Sequence, residues 1–180
     1  MDFGLFVIRV AVGALLIGHG TQKLFGWYGG HGLEGTGGFF ESLGYRPGKP
    51  HAFLAGFGEA GGGLLLLLGF LTPLAAAALV GVMMNAIGAV HAGKGPWVTD
   101  GGWEYPAVVM TIAAGVGIAG PGSLSVDGAF GLPVAGLLGI AGIVVGVLAG
   151  AVTLGRRQPE GAEEPAAEEE PADEHRRRAA

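Results

Sequence analysis

No cysteine occurs anywhere in the 180 residues. That excludes disulfides, thiolate metal centres, cysteine-held iron–sulfur clusters and CxxC redox chemistry. Any redox role must therefore use a bound quinone, a haem held by histidines, or a partner protein. Charge is scarce as well. Up to residue 155 the acids are Asp2, Glu34, Glu41, Glu59, Asp100, Glu104 and Asp127, and the bases are Arg9, Lys23, Arg46, Lys49 and Lys94. So few charges over so long a stretch cannot make a water-facing surface, where roughly a quarter to a third of positions are charged. The N-terminus has no basic n-region, Arg9 interrupts its first apolar run and no A-x-A site follows. The opening segment is therefore expected to stay as a span rather than to be cleaved. Gly93-Lys94-Gly95 is not part of a G-x-x-x-x-G-K-S/T phosphate loop, and no nucleophile elbow or Ser-His-Asp arrangement is present.

What the chain has instead is apolar residues and glycine. Half the residues are hydrophobic and 38 are glycine, with a mean hydropathy of +0.52. Glycine at this density weakens a helix in water but lets helices approach closely in lipid. These features predict an integral membrane protein whose first partner is the lipid bilayer; no nucleic-acid partner is expected.

The apolar runs predict five spans, each to be weighed against the roughly 20 residues that cross a bilayer. The first covers Phe3 to Phe25. A polar, glycine-rich loop follows from Gly29 to Pro50. The second span is Ala52 to Phe70, greasiest at Leu64–Leu68, with Glu59 in its first half. Leu71-Thr72-Pro73 reads as a tight reversal, Pro73 suits the first turn of the third span, and that span reaches His91 and carries Asn85. Trp97 and Trp103, in the short loop from Gly93 to Glu104, suit the headgroup belt. Tyr105 to Ala119 is a short fourth span, and Ser123 to Gly131 another turn. Leu132 to Leu154 is a fifth, with Gly142, Gly146 and Gly150 as a small-xxx-small face for a neighbouring helix.

The predicted fold class is thus all-α integral membrane: an antiparallel four-helix transmembrane bundle over residues 1–127, an additional C-terminal transmembrane helix at 128–155, and a disordered charged tail at 156–180. Five spans put Lys23, Arg46, Lys49, Lys94, Arg156 and Arg157 on one side and no lysine or arginine in the turns of the other. Positive residues favour the cytoplasm, which predicts an outside N-terminus and an inside long loop.

Ionisable groups are costly in a membrane and are functional candidates for that reason. His19 late in span one, Glu59 early in span two, His91 late in span three and Glu104 at the start of span four fall in the same half of the bundle, with Asn85 deeper. A carboxylate as deep as Glu59 is expected to pair with a base such as His19 or His91 or else to stay uncharged. One reading is a polar pocket under the glycine-rich loop. Glu59 with His19 or His91 would handle protons for a membrane quinone there, Gln22 and Lys23 would stand at the mouth, and Asn85 and Glu104 would complete the polar lining. The other reading makes the same residues interhelical hydrogen bonds that fix register. Lys23 and Arg9 are expected to snorkel to the nearest headgroups. No metal site is expected.

Six stretches carry a family resemblance: GHGTQKLFGWYGGHG at 18–32, GTGGFFESLGYRP at 35–47, LAGFGEAGGGLLLLLGFLTPLAA at 54–76, VHAGKGPW at 90–97, DGGWEYP at 100–106 and GPGSLSVD at 120–127. In this order and spacing the chain closely resembles the DoxX family of small bacterial membrane proteins. The resemblance implies a four-helix bundle in the bacterial plasma membrane. Some members are associated with quinone-linked sulfur oxidation, as in the small subunit of thiosulfate:quinone oxidoreductase, and others with membrane complexes that handle oxidative stress. Positions that coincide with the motifs are His19, Gln22, Lys23, Glu41, Glu59, His91 and Glu104; the fifth span and the charged tail depart from the family pattern. The expectation is a small membrane subunit of a quinone-linked redox or oxidative-stress system, working with a partner rather than catalysing alone. A non-catalytic scaffold is the alternative. A small-solute transporter is disfavoured by the absence of an inverted repeat or broken helix pair.

Overall fold

The computed structural model describes residues 2–159, and among these every regular element is helical. In chain order they are α1 (Asp2–Phe25), α2 (Gly32–Ser42), α3 (Gly48–Leu68), α4 (Thr72–Ala86), α5 (Glu104–Ala119), α6 (Val126–Ala129) and α7 (Leu137–Gly155). A π turn over Ile87–His91 prolongs α4. Four segments are long and apolar enough to cross a membrane: α1, α3, Thr72–His91 and α7. The fourth expected span, α5, has 16 residues, about 24 Å at 1.5 Å per residue. The tail expected to be disordered lies, from residue 160 onward, outside the described residues.

α1, α3, α4, α5 and α7 run alternately between two ends of the bundle. At one end Ser123 donates to the Asp2 carboxylate and the Asp127 amide donates to the Gly69 carbonyl. At the other, the Gln158 amide donates to the Gly44 carbonyl and the Arg157 guanidinium to Ala89. The core lies between four helices: Leu16 of α1, Leu66 of α3, Leu79 and Met83 of α4, and Val109 and Val116 of α5 are all buried. α7 packs outside this group on α4 and α5. All-helical architecture with several membrane-long apolar helices agrees with the expected membrane helical bundle.

Two connections differ from it. The polar loop contains α2, and α3 starts at Gly48 rather than Ala52. The sequence GLEGTGGFFES has poor helix propensity, but tertiary packing offsets it: Thr36 and Gly37 are buried, and a Cβ on Gly37 would lie 2.8 Å from the Lys49 side chain. The second is the turn after α5. It holds a short helix capped by Ser125, which accepts from the Gly128 amide at 3.0 Å, and it carries a fully buried Asp127.

Arg9 also departs from expectation. It does not snorkel; it is 0% exposed, and its guanidinium donates to the carbonyls of Leu67 and Leu124. The end of α3 and the segment before α6 offer unpaired carbonyls within reach, which satisfy the cation better than a climb to the surface.

The glycine row of α7 is used within the chain. A Cβ on Gly146 would sit 2.5 Å from the Ala77 carbonyl oxygen of α4, and one on Gly150 would lie 3.1 Å from that of Gly81. Gly146→Ala should therefore push α7 off α4 and cost about 1–3 kcal/mol. Gly155→Ala, where a Cβ meets nothing within 4 Å, should be neutral or slightly stabilising. Thermal unfolding in detergent compares the two; equal melting temperatures would remove the close-approach argument.

Candidate functional site

A cavity of about 660 Å³ lies in the half of the bundle nearest α2. His19 and Lys23 of α1, Glu59 of α3, Asn85 and His91 of the fourth span and Tyr105 of α5 all line it. Most of its remaining wall is apolar, including Phe39, Phe40, Leu54, Phe57, Val82 and Met83. The helices meet closely around it because glycine lets them: a Cβ on Gly56 would lie 2.8 Å from the Leu24 side chain.

Glu59 is paired with Lys23, not with a histidine. Lys23 Nζ stands 2.5 Å from Glu59 Oε2, with the lysine side chain 26% exposed and the glutamate 6%. α1 and α3 cross at Gly20 and Gly56, one turn or less from the two ends of the pair. The four-carbon stem of Lys23 therefore reaches inward to the carboxylate instead of outward to headgroups. His19, one turn earlier, lies against Tyr105 with ring centroids 5.3 Å apart. His91 Nδ1 is 2.6 Å from the Gly101 carbonyl oxygen, which ties the π turn to the loop before α5.

Asn85 has both halves of its amide engaged. Its Nδ2 donates to Gly81 and Gly150, joining α4 to α7, and its Oδ1 accepts from the Tyr45 hydroxyl at 2.8 Å. This is the interhelical role weighed for it from sequence. Burial raises the Tyr45 phenol above its ordinary value, with Arg157 pulling the other way, so Tyr45 stays a neutral donor at pH 7. Gln22 and Glu104 are not in the cavity wall. Gln22 Nε2 donates to the Tyr28 carbonyl, and Glu104 Oε1 accepts from the Val98 amide; both brace connectors. Glu41, also a motif position, accepts from the Gly48 amide at 3.1 Å.

Residues 4–92 match the DoxX family model. The chain belongs to the DoxX family. No curated protein and no solved structure matches it. The DoxX match takes in α1 to α4, and so all of His19, Gln22, Lys23, Glu59, Asn85 and His91, while Glu104, Tyr105 and α7 lie beyond it. The wall of this DoxX cavity is thus completed by residues outside the matched stretch.

Sequence reading overlooked Tyr45, His51 and Tyr105. His51 stands one residue past the expected polar loop. It lies in the first turn of α3 with Nδ1 2.8 Å from the Pro47 carbonyl oxygen and its ring against Tyr45, and it lines the cavity. Tyr45 and Tyr105 stand inside the family stretches at 35–47 and 100–106, which was the available signal; His51 falls between such stretches. Among the described residues no group of three or more His, Asp or Glu side chains is placed to hold a metal ion.

Proposed function

We propose that this DoxX-family membrane protein is a small subunit that binds a membrane quinone in the cavity beneath α2 and works with a redox partner in the bacterial plasma membrane. The observation that carries this reading is the Lys23–Glu59 pair set in a largely apolar cavity with His19 and Tyr105 beside it. A quinone needs an apolar slot for ring and tail and a few donors at the carbonyl end, and the residues present fit that requirement. Lys23 Nζ and the His19 ring would face the ligand's polar end, while Glu59 Oε2 holds the lysine in place. When bound, a quinone supplies the two-electron chemistry that no side chain of this chain provides. Phe39, Phe40 and Met83 of the wall supply apolar surface for the ligand's ring and tail.

Five traversals, with α5 and α7 both counted as crossings, would put the lysines and arginines of the α2 end on one face of the bilayer. The positive-inside preference puts that end in the cytoplasm and the N-terminus outside.

The test is lipoquinone content after purification in mild detergent, for wild type and Glu59→Gln side by side. Near-stoichiometric quinone is expected in the wild type and at least about tenfold less in the variant, a difference of about 1.4 kcal/mol. Absence of quinone from both, with both folded, would favour a scaffold subunit. Gly13 and Gly20 of α1, Gly56 and Gly63 of α3 and the glycine row of α7 are packed inside the chain, so a scaffold would have to act through other surfaces.

A further inference from the structure

We infer that the Tyr105 hydroxyl is the donor reserved for the ligand's carbonyl, and that the ligand reaches it sideways from the lipid past Leu54 and Phe57. The inference rests on the quinone reading and assigns it a residue and a direction.

Among the described residues, two buried side-chain polar atoms have no hydrogen-bond partner: Arg9 Nε and Tyr105 Oη. Arg9 is satisfied through its other nitrogens at the far end of the bundle. Tyr105 has one polar atom, so its hydroxyl goes wholly unpaired. A buried hydroxyl without a partner costs about 1–3 kcal/mol, a cost that phenylalanine would avoid while filling the same volume. Tyr105 lines the cavity, and its ring lies against His19. Most other donors around the wall are spoken for: Lys23 by Glu59, Asn85 by Gly81 and Gly150, Tyr45 by Asn85. The unpaired donor therefore calls for a neutral acceptor brought in from outside, which is what a quinone carbonyl offers.

The direction follows from exposure. Leu54 is 61% and Phe57 60% exposed, yet both also line the cavity. They belong to the membrane-long helix α3, so their outer faces meet lipid. Phe39 of α2 lines the same side and is 49% exposed. An apolar tail lying along these residues leaves the carbonyl end pointing inward to Tyr105, and no aqueous entrance is needed.

The experiment measures binding of two probes to the purified full-length protein: a 1,4-benzoquinone carrying a ten-carbon tail, and its tail-less parent. The variants are Tyr105→Phe and Glu59→Gln, and melting temperatures are taken with and without probe. The expected result is binding of the tailed probe by wild type and affinity about tenfold weaker in Tyr105→Phe. The probe-free variant should melt at or above the wild-type temperature, because the removed hydroxyl had no partner. The tail-less parent should bind more weakly than the tailed probe throughout. Equal affinity of wild type and Tyr105→Phe, with Glu59→Gln still impaired, would overturn the Tyr105 assignment and leave the quinone reading standing. A Tyr105→Phe protein that melts lower without probe and binds normally would make the hydroxyl structural and would likewise overturn it. Equal binding of both probes by wild type would overturn the lateral path. No binding to any of the three proteins, all folded, would overturn the inference and the quinone reading together.

Discussion

Asp127→Ala should cost about 3–5 kcal/mol of stability, as expected for breaking a buried charged network. The carboxylate is 0% exposed and accepts from the Leu71 amide at 2.9 Å, the Thr72 amide at 2.9 Å and the Thr72 hydroxyl at 2.7 Å. It therefore satisfies the orphan donors at the start of α4, where a negative group also opposes the helix dipole. It offsets the buried Arg9 charge across the same junction. Leu71 itself sits at φ 47°, in the left-handed region, at a cost of roughly 1–2 kcal/mol for a residue with a Cβ. The substitution removes the acceptor, leaves Arg9 without its anion and leaves the strain at Leu71 without the hydrogen bonds that offset it. Adding Leu71→Gly to Asp127→Ala should recover part of the loss by removing the strain. Melting curves in detergent decide the matter, and a loss below about 1 kcal/mol would mean that water or headgroups replace the carboxylate.

The second large effect concerns the cavity. Lys23→Met strands Glu59 in an apolar wall, and a loss of about 2–3 kcal/mol is expected. That is less than the full range for a wholly buried pair, because the lysine side chain retains 26% exposure and part of its charge is screened. Glu59→Leu should cost less, since Lys23 can swing its amine toward water. The double variant Lys23→Met with Glu59→Leu should regain most of the stability, because an apolar pair replaces an ion pair of similar volume; on the proposed quinone reading it should also lose the ligand. A double-mutant cycle measures the coupling. If the two single effects simply add to within about 0.5 kcal/mol, the pair contributes no coupling of its own.

Much of this architecture could be read in the chain. Span-length apolar runs, Pro73 after a tight reversal and the glycine row of α7 are local signals, and the helices follow them. The sharing of one end by His19, Glu59 and His91 followed from counting residues along antiparallel spans. What could not be read was pairing. Which base meets Glu59 depends on the rotation of α1 about its axis, and the crossing glycines that set that rotation look alike in sequence. Residue spacing put His19 and Lys23 one turn apart on the same stripe, and only packing decides between them. Arg9 and Asp127 were illegible for a related reason. Their partners are backbone groups at turns more than 50 residues away along the chain, and no side-chain pattern announces a carbonyl. α2 was hidden by composition, since glycines that lower helix propensity are the residues that let it lie on α3.

Asp2 at the start of α1 and Gln158 after α7 lie at opposite ends of the bundle, and Gln158 is fastened to Gly44 beside the cavity. A tag set directly after Gln158 therefore travels with the cavity's polar end, and one set before Asp2 with the opposite end of the bundle. A protease or impermeant dye added to sealed vesicles then reports which aqueous phase lies nearest Lys23 and Glu59. Sidedness of the cavity becomes a property of the tags, readable before any ligand is known.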